Sequence, residues 1–395
     1  MARVLFLNLP VPGFVLSSLP LIKELVQRGH QVGYVCSNVH RPLIESAGAL
    51  FIAYPNLPDA VNDAKNEHKL FKEVFLAAES VAGEYDLLVY DRWFFLGQSL
   101  AKQVNKPAVA LSSMFAFSEA VARDMVINSN NLYLLKYRVV RKLITKFWQK
   151  NIKIKTEDFL QEISSVNPAL NIAFCIKEFQ IHNDDFDDSF HFVGPLISSS
   201  RSESNCVIPY HEMKDPIIYV SMGTLAKKKR YLKKCIQAFA GEHVNVIVSL
   251  GNQFKKEEFK KIPPNVYVYS FVPQIEVLQH ASLFINHAGM NSVNESIAFG
   301  VPMLVSPVFI DQPLIAKRVV ELRLGNKINL KKISRQKLKE IAYEVMHNPE
   351  ILENINQMKA LTESAGGGNA TRKSADLIEE YLAEILRVKA IRLEV

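Results

Sequence analysis

No two of the four cysteines, Cys36, Cys175, Cys206 and Cys235, stand at CxxC or CxxxC spacing. That argues against a zinc site or a disulfide framework and fits a reducing cytosol. No apolar run reaches the roughly 18 residues that a membrane span needs. Met1-Ala2-Arg3 before an apolar stretch imitates a signal peptide. However, Pro10, Pro12 and Pro20 break that stretch and no Ala-x-Ala site follows, so the segment reads as a first strand and the protein as cytoplasmic. Repeats with a period of roughly 20 to 50 residues are missing, which excludes a solenoid. There is no nucleic-acid module and no interleaving of basic and aromatic residues, so no nucleic-acid partner is expected. Finally, none of the ten histidines falls in residues 1–29.

What is present is the composition of ordinary globular cores. The 395 residues are 48% hydrophobic and 22% charged, enough chain for two or three domains. The net charge of +7 permits an anionic partner without demanding one. Short apolar runs alternate with helical patterns: RVLFLN (3–8), a helix over 19–29, QVGYVCS (31–37), a helix over 42–48, LFIAYP (50–55), DLLVYD (86–91) and PAVALSS (107–113). Strands without polar alternation predict a parallel sheet covered by helices on both faces. Residues 194–215, rich in Ser and Pro, read as a linker. A second series follows: 216–223, 244–251, 265–271, 281–287 and 301–307. The expectation is an α/β protein of two doubly wound, Rossmann-like domains, residues 1–200 and 216–372. Ligands then belong at the carboxyl ends of the strands and in a cleft between the domains.

The densest constellation lies between Phe271 and Arg318. The strand at 281–287 ends on His287. Ala288-Gly289 follow, and a helix is predicted to begin near Asn291, with Asn291 and Ser292 as natural caps. Such a helix end offers N–H groups and a positive dipole to an anion. His287 is placed to donate to a phosphate oxygen. Glu295, one turn deeper than Asn291, suits a pair of ribose hydroxyls. Asp311 and Gln312, after another strand end, suit a sugar. Taken singly, His287 reads equally well as a core histidine, Glu295 as a solvated helix residue and Phe271 as core packing. At this spacing, together, they read as a site for base, ribose, diphosphate and sugar. Val272 and Gly289 need no more than turn geometry.

The run HAGMNSVNE…GVPMLVSPVFIDQP resembles the donor-binding motif of the UDP-glycosyltransferases with the GT-B fold, in their bacterial macrolide glycosyltransferase branch. The resemblance extends from RVLFLN to SADLIEEYL. It implies an inverting hexosyltransferase that needs no metal or other cofactor beyond a UDP-sugar. Phe271 would stack on uracil, and Gln274 with the backbone near Val272 would contact its edge. Glu295 would hold the ribose and favour UDP over dTDP. His287, Gly289, Asn291 and Ser292 would hold the diphosphate with Ser221, Gly223 and Thr224. Asp311 and Gln312 would hold the hexose. The last helix, near 373–388 in a segment 373–395, would pack back on the first domain.

The same resemblance exposes a departure. In the family the turn after the first strand carries a His that takes the acceptor's proton, oriented by an Asp at a later strand end. Here Phe14 stands at the His position, while the Asp is present as Asp91. General-base help is worth roughly 100- to 10,000-fold, and Phe cannot supply it. Three readings stay open. Asp91 is itself the base; or the acceptor is already acidic; or the protein binds a nucleotide-sugar without transferring it. Asp91 as a mere helix cap is the plain alternative.

The acceptor side carries weaker signals. Trp93, Phe94, Met114 and Phe115 follow strands and, with Phe14, are candidate walls for a small apolar acceptor such as a polyketide, macrolide or phenolic compound. Ordinary core packing explains them equally. In residues 132–155, Leu132, Leu135, Val139, Leu143 and Phe147 recur at helical spacing among eight Lys/Arg and no acid. This reads either as a helix whose apolar face covers the acceptor site, or as one that lies on an anionic membrane. KKKR (227–230) adds positive potential for UDP or simply starts a solvated helix. The oligomeric state has no signal.

Overall fold

A computed structural model describes residues 1–54, 67–128, 134, 137–152, 162, 169–197, 206–213, 216–223, 229–251, 253–308 and 311–393. The chain divides into two compact units: Met1–Ile127, Asn131–Ile197 and Ala365–Val395 in one, and Ser198–Ser364 with Asn128–Asn130 in the other. The division falls at 197/198, inside the segment read as a linker. The chain returns to the first unit at Ala365, eight residues before the position expected from sequence.

The first unit is a parallel sheet of seven strands: β1 (Arg3–Leu7), β2 (Gln31–Cys36), β3 (Leu50–Ala53), β4 (Leu87–Asp91), β5 (Ala108–Ser112), β6 (Asn171–Ala173) and β7 (Phe190–Phe192), in the order β3-β2-β1-β4-β5-β6-β7. Alternate residues face opposite layers, as the strand period requires. Leu5, Leu7, Leu88 and Tyr90 pack under α3 (Glu67–Val81), α4 (Gly97–Gln103) and Trp148 of α6 (Arg138–Ile152). Val4, Phe6, Leu87 and Val89 pack under α1 (Pro12–Gln27) and α2 (Arg41–Ser46). A further helix, α5 (Glu119–Asn128), follows β5.

The second unit repeats the plan. Its strands are β8 (Ile217–Ser221), β9 (Asn245–Ser249), β10 (Val266–Tyr269), β11 (Leu283–Asn286), β12 (Met303–Val305) and β13 (Gly325–Lys327), all parallel, in the order β10-β9-β8-β11-β12-β13. Its helices are α7 (Lys229–Ala238), α8 (Gln274–His280), α9 (Met290–Phe299), α10 (Gln312–Glu321), α11 (Arg335–His347) and α12 (Pro349–Ala365). The chain ends in α13 (Ala370–Leu393), whose Ala375, Ile378 and Leu382 join the β1/α1 core of the first unit. Polar contacts tie it there: Arg28, at the end of α1, reaches Asp376 and Glu379 at 2.6 Å, and His30 pairs with Glu379 at 2.9 Å. No helix among the described residues is long and apolar enough to cross a membrane.

One local expectation is corrected, and one that was left open is narrowed. α1 begins at Pro12, not Leu19, so Phe14 lies in its first turn and not at the tip of a turn. Proline at the first helical position has its φ already set, and the connection from β1 is correspondingly short. Pro20 is carried inside the helix. Of the two readings of α6, the one in which its apolar stripe covers the acceptor site is not met. It buries Thr145 and Trp148, with Ile144 against the core, while Val139, Leu143 and Phe147 are 71%, 64% and 41% exposed. Leu132, Leu135 and residues 153–155 of that segment lie outside the described residues.

Candidate active-site residues at two sheet switch points

In a doubly wound sheet the strand order reverses beside the first strand, and ligands bind outside the carboxyl ends there. In the first unit that point lies between β1 and β4, in the second between β8 and β11.

At the first, β4 ends on Asp91, only 3% exposed. Its Oδ1 accepts the Trp93 N–H at 2.9 Å, turning the chain sharply after the strand. Burial pushes the Asp91 carboxyl up to about 6, although the Ser113 hydroxyl, the N–H groups of Trp93 and Ser113 and the charge of Arg92 all favour its ionised form. Beyond β1, Asn8 donates from Nδ2 to the Phe14 carbonyl at 3.0 Å, and Ser17 donates to the same oxygen at 2.8 Å. This holds the first turn of α1 against the strand end. The Phe14 and Trp93 rings stack with centroids 5.4 Å apart. Both rings are partly exposed. The other proposed wall residues are not: Phe94 and Phe115 are 0% exposed and Met114 1%. Phe94 stacks on Phe71 and Phe115 on Phe179, so core packing claims all three and leaves an acceptor no surface on them.

At the second, β11 ends on Asn286, whose Oδ1 accepts the Ala288 N–H at 2.7 Å. The His287 ring lies against two glycines. A Cβ at Gly223 would sit 2.5 Å from its Cε1, and one at Gly289 would sit 2.6 Å from its Nε2. Gly223 is also left-handed, with φ +70°, whereas Gly289 has an ordinary φ of −71° as the N-cap of α9. Close approach of His287, rather than turn geometry, is what requires glycine at 289. Burial lowers His287 to about 4, so the ring is neutral near pH 7. Asn291 and Ser292 fall in the first turn of α9 and do not cap it, since the helix starts at Met290 and no side chain caps its end. An uncapped helix N-terminus presents its first N–H groups to an anion.

Glu295 is 3% exposed and held in place. Gln274, the first residue of α8, donates from Nε2 to Glu295 Oε2 at 2.5 Å and to Ser292 Oγ at 3.3 Å. Its Oε1 accepts from the Tyr219 hydroxyl at 3.1 Å. Both ends of the Gln274 amide are thus engaged with the protein. Tyr219, in mid-strand β8, was indistinguishable in sequence from a core residue. Phe271 is 44% exposed, whereas Val272, next in the chain, is buried at 1%. Ser221 ends β8 and is 7% exposed. Asp311 precedes α10 and is raised to about 6 by burial, while Gln312 accepts the Val308 N–H at 2.8 Å. Thr224 and residues 227–228 lie outside the described residues. Among the described residues no cluster of His, Cys, Asp and Glu is placed to hold a metal ion.

Two parallel doubly wound sheets, the second with a glycine-flanked His and an uncapped helix at its switch point, define the GT-B class of glycosyltransferase. A solved structure of CalG4, the calicheamicin glycosyltransferase, superposes with a TM-score of 0.80 at 26% identity, covering 97% of this chain and 98% of that one. The chain belongs to the UDP-glucoronosyl and UDP-glucosyl transferase family, whose profile matches residues 140–364. It is 30% identical to the NDP-glycosyltransferase YjiC of Bacillus subtilis, over 95% of this chain and 96% of the relative. It is 26% identical to the oleandomycin glycosyltransferase of Streptomyces antibioticus, over 96% and 91%. These relatives place it in the bacterial macrolide glycosyltransferase branch.

Proposed function

We propose that the protein is an inverting hexosyltransferase that moves a hexose, glucose in the first instance, from a UDP-sugar to a hydroxyl of a small apolar natural product, with Asp91 as the general base. The observation that carries the base assignment is the pair of matching turns. Asn286 builds the turn after β11 with an amide, so the turn after β4 needs no carboxylate. Asp91 nevertheless keeps a charge that burial disfavours. A costly charge that the fold does not require points to chemistry.

In the proposed step the acceptor oxygen attacks the anomeric carbon as its proton passes to Asp91, directly or through one water. The bond from that carbon to the diphosphate oxygen breaks, and its electron pair leaves with UDP. His287, Ser221, Gly223, Thr224 and the first turn of α9 with Asn291 and Ser292 take the diphosphate. Phe271 stacks on uracil over the Val272 backbone, Glu295 takes the ribose, and Asp311 and Gln312 take the hexose. Phe14 and Trp93 offer the apolar surface for the acceptor.

UDP release from UDP-glucose, with acceptors graded from acidic phenols to plain alcohols, tests this reading. Turnover with alcohols is expected. Turnover confined to acidic acceptors would assign Phe14 to a pocket for pre-ionised nucleophiles. UDP binding without turnover for any sugar or acceptor would favour a non-catalytic nucleotide-sugar binder.

A second reading concerns α6. Its exposed Val139, Leu143 and Phe147 are interspersed with Arg138, Arg141, Lys142, Lys146 and Lys150 and no acid. That charge fits an anionic lipid surface, from which an apolar acceptor would be drawn. Flotation with phosphatidylglycerol vesicles at low salt, weakened by Leu143→Ser, is the expected result. Failure to float removes the reading.

A further inference from the structure

We propose that Tyr219 sets how strongly the donor site distinguishes ribose from 2′-deoxyribose, by fixing the Gln274 amide against Glu295. This rests on the assignment of Glu295 to the ribose made above. Tyr219 is a positioning residue: nothing in its placement brings it to the ligand itself.

The phenol is 1% exposed, in the middle of β8, with its ring stacked on Phe284 of β11 at 4.5 Å and 11°. Backbone pairing on both sides fixes it further, since Tyr219 lies opposite Ile247 of β9 and Phe284 of β11. It is therefore the rigid end of the chain of bonds that runs through Gln274 to Glu295. Gln274, by contrast, opens a short helix and carries a side chain with three rotatable bonds. A glutamine amide has two ends that can exchange by rotation. With its hydroxyl donating to Oε1 at 3.1 Å, Tyr219 assigns that end to the strand. The NH₂ end then points at Glu295 Oε2 and Ser292 Oγ. The hydroxyls of Ser221, Ser249 and Tyr210 and the carboxylate of Glu295 also face the phenol.

The consequence is directional. A vicinal diol donates two hydrogen bonds to one carboxylate, but only if the carboxylate plane faces it. A 2′-deoxyribose donates one, and tolerates rotation of the carboxylate. Gln274 pins one oxygen of Glu295 and so sets that plane. Without the Tyr219 hydroxyl the amide oxygen loses that donor, the Gln274 side chain gains rotational freedom, and its hold on Glu295 Oε2 weakens. The loss falls on the ligand with two hydroxyls.

The test is calorimetric binding of UDP and 2′-deoxy-UDP to the full chain, which needs neither acceptor nor turnover. Tyr219→Phe keeps the ring and its stack on Phe284. It is expected to weaken UDP by roughly threefold to tenfold, the worth of one net hydrogen bond, while leaving 2′-deoxy-UDP within about twofold. In a Gln274→Ala background the same substitution is expected to do nothing further, because its effect passes through that amide. Equal weakening of both nucleotides, or an unchanged ratio, overturns the role of Tyr219. A further loss in the Gln274→Ala background overturns the route. A wild-type protein that binds both nucleotides equally well, yet binds them, overturns the placement of ribose at Glu295 and this proposal with it.

Discussion

The two switch points are built alike and furnished differently. Each first strand is followed by a turn, and each partner strand ends in a side chain that accepts the N–H two residues on, Asp91 from Trp93 and Asn286 from Ala288. At the second point that side chain is neutral and its surroundings are stripped down. Gly223 and Gly289 leave room for the His287 ring, where a Cβ at either would meet it, beside an uncapped helix end. At the first point the side chain is a buried carboxyl and the surroundings are aromatic, Phe14 stacked on Trp93. The proposal gives the second point an anion to bind, and the first an apolar acceptor with Asp91 as its base. The fold supplies the turn in both, and the proposal rests on the residues that exceed what the turn needs.

The comparison can be broken in order of expected effect. Asp91→Asn leaves the hydrogen bond to Trp93 available, as Asn286 shows for its own turn. Transfer to an alcohol should fall by roughly 100- to 10,000-fold, measured as UDP release. Its folded carboxyl, raised to about 6, sits above its unfolded value, so the native state binds more protons between about pH 4 and 6. Asp91 therefore lowers stability as pH rises through that window, by about 3 kcal/mol once fully ionised. Asp91→Asn should thus melt no lower than the wild type at pH 7.5, and wild-type melting should be the more pH-dependent of the two.

Gly223→Ala tests the other side. The new Cβ meets the His287 ring and the backbone is left-handed, so UDP affinity should drop about tenfold or more in a calorimetric titration. Asn286→Asp makes the second switch point like the first. A buried carboxylate there should reduce stability near neutral pH by about 3 kcal/mol, by analogy with Asp91, with the loss relieved below about pH 6. It should also weaken UDP by placing charge near the diphosphate. The wild-type profile needs no substitution: kcat/KM should fall about tenfold per pH unit below pH 6 as Asp91 protonates.

Much of this was legible in sequence. Buried parallel strands are continuous apolar runs, and every run read as a strand is one, within a few residues at its ends. The three-residue strands β6, β7 and β13 were not read. β13 is Gly-Asn-Lys at a sheet edge, with no apolar signal to find. The helix starting at Pro12 was hidden by the same proline that starts it. The two readings of the α6 stripe stayed open because periodicity reports that a stripe exists and not which neighbour it meets. Phe94, Met114 and Phe115 follow strand ends but turn inward, a choice made by packing. Tyr219 left no trace at all, since a tyrosine in an apolar strand reads as core until its hydroxyl finds a partner.

The central claim is that the Asp91 carboxylate removes the acceptor's proton. It is tested most directly by comparing Asp91→Asn with the wild type on two acceptors, a plain alcohol and a phenol acidic enough to ionise near neutral pH. The account predicts that the variant loses transfer to the alcohol while keeping most of its transfer to the phenol. Equal loss on both acceptors, or near-normal turnover on the alcohol, would contradict it.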